Sequence, residues 1–454
     1  MRPHALNPAS DRRVLAWGED GALQRAEFWR RVNGLAAAVA RHPARRWALV
    51  CEDSGWFAAG FFALGCNGRT IVLPPAPQAG SLEAAGAEVD AVLTDRPGQF
   101  SGLEVLPATA FSADVSAAER LPDDALRVEF YTSGSTGKPK CVPKAYAQLR
   151  LEVEALEREW GTELGDAVVV GTVPHYHLYG LLFRILWPIL SGRAFMTGIC
   201  LQPVVLRAAA ARGRSIIVSS PAFLSRISDY AALPPAEQVA AVFSSGAPLP
   251  DAAAEKLAKD WGRAAIEVYG STETGGIAWR AWSGAAERSW WRPIQGVATE
   301  LRESEAGPML WVRSGCTWQG EWMATGDLAW DRDDGRFALR GRGDDVVKFE
   351  DKRVSLGEMR ARLLLHEWVQ DARLVLLPGR RSLIGAVVVL NPAGRTALEG
   401  SSRRAVRDAL RAWLRAGYEA LLIPRKWRFV DAFPGNEMGK VELARLQALF
   451  GPPT

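Results

Sequence analysis

The stretch YTSGSTGKPK, residues 131–140, combines small hydroxyl side chains with two glycines and two lysines. Gly134 and Gly137 permit a backbone with positive φ, so successive N–H groups can point at one bound anion. The hydroxyls add further donors, and Lys138 or Lys140 adds positive charge. We therefore expect the loop to bind a nucleotide polyphosphate, with a polar surface turn as the alternative.

The spacing in this loop differs from the common phosphate-binding loop. That pattern requires a glycine five positions before the Gly-Lys pair, and position 132 is threonine. Pro139 also prevents the helix that normally follows the lysine. The sequence thus argues against a P-loop kinase or ATPase, and it predicts a hairpin loop between two strands.

Composition limits the functions that are open to the chain. Its 454 residues are 48% hydrophobic and 23% charged, which predicts two or three globular domains. A net charge of +4 gives no reason to expect nucleic-acid binding. The five cysteines include no Cys-x-x-Cys pair, which argues against zinc or disulfides and favours a cytoplasmic protein. Apolar stretches such as 56–65 and 181–190 are too short for a membrane span.

Helical and strand-like patterns alternate along most of the chain and predict an α/β fold with mainly parallel strands. We expect strands at 46–51, 70–75, 89–95, 126–132, 167–174, 215–220, 239–246 and 265–270. We expect helices at 24–41, 55–66, 146–160, 178–191, 221–231 and 250–261. After about residue 340 a hairpin over 373–390, turning at Pro378-Gly379, and a helix over 402–416 predict a separate α+β unit.

Five further motifs follow the loop in order along the chain. They are SSGAPLP (244–250), VYGSTETGG (268–276), ATGDLAW (324–330), ALRGRGDDVVK (338–348) and PGNEMGK (434–440). In this order the motifs resemble the adenylate-forming superfamily of acyl-CoA synthetases, aryl acid ligases, luciferases and peptide-synthetase adenylation domains. The resemblance runs from about residue 25 to 450. It implies a large multi-layer N-terminal adenylation domain (1–340), a hinge (341–345) and a small mobile α+β C-terminal domain (346–454).

The resemblance also implies how ATP and Mg²⁺ are bound. The β- and γ-phosphates would be held by Thr132, Ser133, Gly134, Ser135, Thr136, Gly137 and Lys140. The adenine would be lined by Ser245, Gly246, Ala247 and Pro248, with Tyr269 stacked on the ring and Gly270 beside it. Thr272 would donate to the α-phosphate, Glu273 would bind Mg²⁺, and Asp327 and Arg342 would bind the ribose. Taken singly, each of these residues has a purely structural alternative.

Lys440 is the catalytic lysine that the resemblance implies. It would contact both the acid and the α-phosphate, where positive charge eases the meeting of two anions. The implied reaction first forms acyl-AMP and pyrophosphate, and a thiol then releases AMP. The C-terminal domain would swing about Asp344 between the two half-reactions.

The sequence departs from the family pattern at three positions. Cys141 replaces a glycine, Tyr146 replaces a frequent histidine, and Asp351 stands where the loop that lines the thiol tunnel usually has a glycine. These departures leave two alternatives open: an enzyme that stops at the acyl-adenylate, and a non-catalytic relative that binds nucleotide or a carrier protein.

The identities of the acid and of the thiol are predicted more coarsely. PHYHLYG (174–180) should face the acid, with His177 in a catalytic role, and no nearby aspartate is placed to hold an amine. We therefore expect an acyl or aryl acid rather than an amino acid. The acceptor would be CoA or the phosphopantetheine of an acyl carrier protein. Such a carrier could dock on a C-terminal helix whose arginines recur every four residues, at Arg403, Arg407, Arg411 and Arg415, although a merely solvated face is the alternative.

Overall fold

The computed structural model describes the chain in two compact units. The first unit holds the described residues up to Thr299 together with Val312–Met323, and the second holds Glu300–Trp311 and the residues from Ala324 onwards. The domain limits at 340 and 346 stay a prediction, because residues 344 and 345 of the expected hinge lie outside the described residues. Those residues are 11–84, 86–109, 116–133, 139–227, 233–284, 289–317, 320–343, 346–349, 352–377, 383–434 and 443–451.

The elements of the first unit alternate as the sequence predicts. Its strands are β1 (Val14–Gly18), β2 (Gly21–Gln24), β3 (Arg46–Leu49), β4 (Thr70–Leu73), β5 (Ala91–Thr94), β6 (Glu104–Pro107), β7 (Arg127–Ser133), β8 (Pro139–Ala145), β9 (Val168–Gly171), β10 (Phe195–Met196), β11 (Ser215–Ser219), β12 (Val239–Ser245), β13 (Ile266–Ser271), β14 (Gly275–Ala281) and β15 (Trp290–Pro293). Its α-helices are α1 (Arg25–Arg41), α2 (Ser54–Cys66), α3 (Ala79–Ala84), α4 (Tyr146–Leu164), α5 (Leu178–Gly180), α6 (Trp187–Ser191), α7 (Pro203–Ala210), α8 (Pro221–Ile227) and α9 (Asp251–Trp261).

Two sheets organise this unit. One has the strand order β6-β5-β3-β4-β7-β8, in which all neighbours are parallel except the antiparallel pair β7–β8. The other runs β15-β14-β13-β12-β11-β9-β10-β1-β2, and its central strands β9, β11, β12 and β13 are parallel. The predicted α/β fold with mainly parallel strands is confirmed.

A large apolar core lies against these sheets. Fully buried aromatic side chains such as Trp29, Trp47, Trp187 and Phe243 belong to it. Helix α2 lies within this core and is buried almost all round, since it is apolar on every side. Its N terminus is capped by Asp53, whose carboxylate accepts the N–H groups of Gly55 and Trp56, the second and third residues of the helix.

The prediction of one α-helix over 178–191 is wrong in the middle of that range. Residues Leu181–Leu186 form a π-helical turn between α5 and α6. Inside the turn, the buried Arg184 guanidinium donates to the carbonyls of Val173 (2.6 Å) and Gly198 (3.0 Å). It lies so close to Gly171 that a Cβ there would clash with it. Periodicity alone does not reveal this turn, because the partners of Arg184 come from the segments that follow β9 and β10.

The second unit is richer in strands. Its strands are β16 (Ala298–Ser304), β17 (Gly307–Arg313), β18 (Met323–Asp331), β19 (Phe337–Arg342), β20 (Val346–Phe349), β21 (Lys352–Ser355), β22 (Val369–Leu377), β23 (Leu383–Leu390) and β24 (Lys426–Val430). Its helices are α10 (Leu356–Leu364), α11 (Pro392–Glu399), α12 (Arg403–Arg415) and α13 (Leu443–Ala448).

The C-terminal part of this unit has its own core. Strands β22 and β23 form the expected antiparallel hairpin, and β24 adds in parallel to β23. Helix α12 packs Val406, Leu410 and Leu414 into that core, as its apolar spacing predicts. The predicted turn at Pro378-Gly379 lies outside the described residues. Among the described residues, no helix combines the length and apolar character that crossing a membrane requires.

Candidate active site

The predicted phosphate-binding loop connects two paired strands. In the β7–β8 hairpin, Thr132 lies opposite Lys140 and Ser133 lies opposite Pro139. The Thr132 hydroxyl donates to the Lys140 carbonyl at 3.4 Å. The predicted hairpin is therefore confirmed. Its tip, with Gly134, Ser135, Thr136 and Gly137, lies outside the described residues. The phosphate-binding roles of these four residues stay predictions, as do those of Thr132, Ser133 and Lys140.

Lys140 contacts the carboxylate that the sequence analysis assigns to Mg²⁺. Its Nζ atom donates to Oε1 of Glu273 at 3.0 Å, although 133 residues separate the two. The Lys140 side chain is 62% exposed and that of Glu273 is 34% exposed. A cavity of about 150 Å³ borders both residues. The structure thus brings a predicted phosphate-binding lysine and a predicted metal ligand to one accessible place.

The surroundings of Glu273 keep its carboxylate ionised. Burial by itself raises the pKa of Glu273, but hydrogen bonds from Lys140 and from its own N–H, with the Lys140 charge, outweigh that effect. The pKa therefore lies below its ordinary value. An ionised, partly exposed carboxylate is a suitable oxygen ligand for a hard cation such as Mg²⁺.

A tight turn between β13 and β14 presents Thr272 and Glu273. The turn is closed by Ser271 and Thr274: the Ser271 N–H donates to Oγ1 of Thr274 at 3.1 Å, and the Thr274 N–H donates to Oγ of Ser271 at 3.2 Å. A Cβ at Gly270 would overlap the Gly275 carbonyl across the strand pair. Glycine at 270 is thus needed for the close approach of the two strands.

The predicted adenine-binding residues meet at the carboxyl ends of two neighbouring parallel strands. Ser245, at the end of β12, pairs with Val268 of β13, and its hydroxyl donates to the Val268 carbonyl at 2.8 Å. The half-buried Tyr269 follows on β13, with its ring 5.5 Å from that of Trp291. The next residues, Gly246, Ala247 and Pro248, are exposed. The carboxyl ends of such strands are the usual ligand sites of open α/β sheets.

The predicted ribose-binding pair lies in the second unit. Asp327 on β18 is directly opposite Arg342 on β19. Nη1 of Arg342 lies 3.9 Å from Oδ1 of Asp327 and donates to the Thr325 carbonyl at 3.4 Å. Gly326 adopts φ = 79° and leaves room for the guanidinium, which a Cβ would approach to 3.1 Å. The structure brings this carboxylate and this cation together within their own unit.

His177 begins α5 as its N-cap and is largely buried. Burial lowers its pKa to about 4, and its Nε2 atom has no hydrogen-bond partner among the described residues. The neighbouring His175 is more deeply buried and donates from Nε2 to the Cys51 carbonyl at 2.9 Å. Its pKa is lowered to about 3, mainly by burial. His175 is therefore a core residue. Each ring keeps one nitrogen without a partner among the described residues, Nδ1 in His175 and Nε2 in His177.

Two buried charged residues behind Glu273 were not singled out from the sequence. Lys144 is 4% exposed, and its Nζ donates to the carbonyls of Glu273 (2.6 Å) and Cys316 (2.7 Å). Glu152 is 6% exposed and accepts the Gly276 N–H at 2.6 Å. Burial lowers the pKa of Lys144 and raises the pKa of Glu152, and each charge partly opposes the shift of the other. A second lysine four positions after Lys140, on the same strand face, is the signal that could have identified Lys144.

Two of the three departures from the family pattern lie in the first unit. The Cys141 side chain is half-buried beside Lys140. The Tyr146 ring is buried in the core, 6.3 Å from Phe61, and so serves packing. Asp351, together with the predicted catalytic Lys440, lies outside the described residues.

Hydroxyls at the carboxyl ends of parallel strands, beside a lysine and an ionised carboxylate on the segments that follow, are typical of a nucleotide-binding α/β enzyme. A family model described as AMP-binding enzyme matches residues 3–312, more than half of the chain. The chain belongs to this family.

Sequence relatives and solved structures agree with this membership. A 4-coumarate–CoA ligase of Rhodobacter capsulatus is 30% identical over 312 residues, which cover 68% of this chain and 73% of the relative. The crystal structure of ATP-bound MatB from Rhodopseudomonas palustris superimposes with a TM-score of 0.83 at 20% identity, covering 97% of this chain and 96% of that one. A benzoate CoA ligase from Burkholderia xenovorans LB400 has a TM-score of 0.76 at 22% identity, covering 96% and 97%. The two structures share the fold of this chain.

Proposed function

We propose that the protein uses ATP to activate a carboxylic acid and then transfers the acyl group to a thiol. In the first half-reaction, a carboxylate oxygen attacks the α-phosphorus and the bond to pyrophosphate breaks, giving acyl-AMP. In the second, the thiol sulfur attacks the acyl carbon, AMP leaves, and the thiol proton passes to solvent. The contact between Lys140 and Glu273 carries this proposal, because it joins the two elements that a bound triphosphate needs.

Glu273 is the residue that would hold Mg²⁺. When bound, the metal would neutralise phosphate charge beside Lys140. The half-buried position and lowered pKa of Glu273 fit this role. Thr272, one residue earlier in the same turn, would donate to the α-phosphate. Ser245 and Tyr269 would hold the adenine, and Asp327 with Arg342 would bind the ribose.

Lys440 would supply the remaining positive charge at the α-phosphate. The reaction joins two anions, so a cation at the developing negative charge lowers the barrier. We infer that the C-terminal domain brings Lys440 to the phosphate in the first half-reaction. It then rotates about the 341–345 hinge to admit the thiol.

The acid that we propose is an acyl or aryl acid without an amine. His177 supports this, because burial keeps its imidazole neutral and leaves Nε2 free of protein partners among the described residues. The ligases of 4-coumarate and benzoate among the similar proteins are named for aryl acids. Tyr176 and Tyr179, which pack against the same core, add aromatic surface nearby.

The thiol that we propose is CoA or the phosphopantetheine of a carrier protein. The CoA ligases among the similar proteins support CoA. Helix α12 supports a carrier, because Arg403 and Arg415 are exposed on it. Arg407, however, already pairs with Asp408 at 2.8 Å, which reduces the positive charge that an acidic partner would meet. The five unpaired cysteines fit the reducing cytoplasm in which we expect the reaction.

Pyrophosphate release tests the function directly. The purified protein should release pyrophosphate from ATP only when a suitable acid is present, across a panel of aryl and fatty acids. Adding CoA or a phosphopantetheinylated carrier should then produce AMP and a thioester. Pyrophosphate release without thioester would identify an enzyme that stops at the acyl-adenylate. ATP binding without acid-dependent release would favour a non-catalytic relative.

A further inference from the structure

Two lysines of β8 contact Glu273, one at its side chain and the other at its main chain. Lys140 and Lys144 lie four residues apart and therefore on the same face of the strand. Lys140 donates to the Glu273 carboxylate at 3.0 Å, whereas Lys144 donates to the Glu273 main-chain carbonyl at 2.6 Å. The side chain and the backbone of one glutamate are thus each fixed by a separate ammonium group.

Lys144 has a second contact that provides a control. Its Nζ also donates to the Cys316 carbonyl at 2.7 Å. Gln148 donates to the same carbonyl at 3.1 Å and to the Thr317 carbonyl at 3.0 Å. The two side chains therefore share the task of fastening the loop at 316–317, but the contact with Glu273 belongs to Lys144.

Stability alone does not explain a lysine at this position. Lys144 is 4% exposed, and among the described residues no carboxylate lies within 4.0 Å of its ammonium group. Burying an ammonium group against neutral carbonyls is costly. A buried pair of opposite charges, such as Lys144 and Glu152, can commonly be replaced as a whole by apolar side chains with no loss of stability. The positive charge of Lys144 is thus better explained by its hydrogen bonds to the Glu273 and Cys316 carbonyls than by a contribution to packing.

We propose that Lys144 is a positioning residue that fixes the Glu273 main chain and thereby keeps the Glu273 carboxylate aimed, with Lys140, at Mg-ATP. This inference rests on the proposed function. The competing structural role is that Lys144 only fastens the loop at 316–317, a role that Gln148 shares.

Equilibrium binding of ATP to the full-length protein separates the two roles. Titration calorimetry would be run with MgCl₂ and with EDTA on wild type, Lys144→Met, Gln148→Leu, Glu273→Gln and the double variant Lys144→Met/Glu273→Gln. We expect Lys144→Met to raise the Kd about 10-fold with Mg²⁺, which corresponds to one lost charged hydrogen bond, and less than about 2-fold in EDTA. Gln148→Leu should change the Kd less than about 2-fold in either buffer.

The double variant tests whether Lys144 influences ATP binding through Glu273. If Lys144 acts through Glu273, adding Lys144→Met to Glu273→Gln should raise the Kd by less than about 2-fold, because the carboxylate to be aimed is gone. Lys144→Gln keeps an amide donor for the carbonyls and should recover most of the binding. If Lys144→Met fails to fold, Lys144→Leu, which also removes the donor, takes its place as the test variant.

Several results would overturn the positioning role. They are an equal loss in Mg²⁺ and EDTA, an equal loss for Gln148→Leu, or a full additive loss in the Glu273→Gln background. With Lys144→Leu as the test variant, a Kd raised equally in both buffers would also overturn the positioning role. A wild-type protein that binds no ATP in either buffer would instead overturn the proposed function itself, and this inference with it.

Discussion

Lowering the pH from 8 to 5 should destabilise the first unit through two buried histidines. The ordinary histidine pKa is 6.5, and burial lowers the pKa of His177 to about 4 and that of His175 to about 3. At pH 8 both rings are neutral whether the unit is folded or unfolded. As the pH falls below 6.5, the two histidines bind protons in the unfolded chain but stay neutral in the folded core. The free energy of unfolding therefore decreases until the pH reaches the folded-state pKa values.

The size of this effect follows from the same values. At pH 5 each unfolded histidine is about 1.5 pH units below its ordinary pKa, whereas both folded rings remain neutral. At about 1.4 kcal/mol for each pH unit, each histidine lowers the free energy of unfolding by about 2 kcal/mol. Together His175 and His177 should cost about 4 kcal/mol, a large part of the stability of an ordinary domain.

Urea unfolding followed by tryptophan fluorescence at pH 8, 6 and 5 measures this loss. His177→Gln should lose about 2 kcal/mol less than wild type between pH 8 and 5, because its amide does not titrate. Phe62→Leu is the control, since it alters core packing against the Phe28 and Trp29 rings without removing a titrating group. It should lower stability equally at each pH. Equal pH dependence in wild type and His177→Gln would refute the reasoning.

Three further predictions concern the reaction. Lys440→Ala should slow adenylation by about 100- to 1000-fold, like the loss of other electrostatic donors, while weakening substrate binding less; normal acid-dependent pyrophosphate exchange would remove the assignment. Glu273→Gln should shift the Mg²⁺ titration of exchange to about 10-fold higher concentration, because a neutral amide is a weaker cation ligand; an unchanged midpoint would exclude Glu273 as the ligand. Exchanging Arg407 and Arg411 for glutamate should slow acyl transfer to a carrier protein while leaving adenylation unchanged. Equal carrier loading would contradict docking on α12.

Local patterns in the sequence predict much of the fold. Helical spacing predicts α1 at 24–41, where the structure has Arg25–Arg41. Apolar runs predict strands that pair in parallel, because such strands are buried on both faces. The glycines and hydroxyls of 131–140 predict a hairpin loop, and β7–β8 confirms it. These features depend on residues close together in the chain, which is why sequence patterns suffice.

Other features depend on partners that are distant in the chain. The period of 178–191 predicts a continuous α-helix, yet the π-helical turn accommodates Arg184 against carbonyls from other segments. Strands β16 and β17 have no local pattern that predicts them, since many of their residues are half-exposed. No local spacing shows which charges will be buried or which carbonyls they will meet.

The order of its motifs alone determined the family of this chain and the list of residues expected to handle ATP. Tertiary structure decided which of those residues meet: Lys140 reaches Glu273 across 133 residues, and Asp327 lies opposite Arg342. It alone revealed that Lys144 is buried beneath Glu273, with its contacts 129 and 172 residues away. The physical reason is that hydrogen bonds and burial depend on distances in space, which a sequence records only where the chain is locally regular.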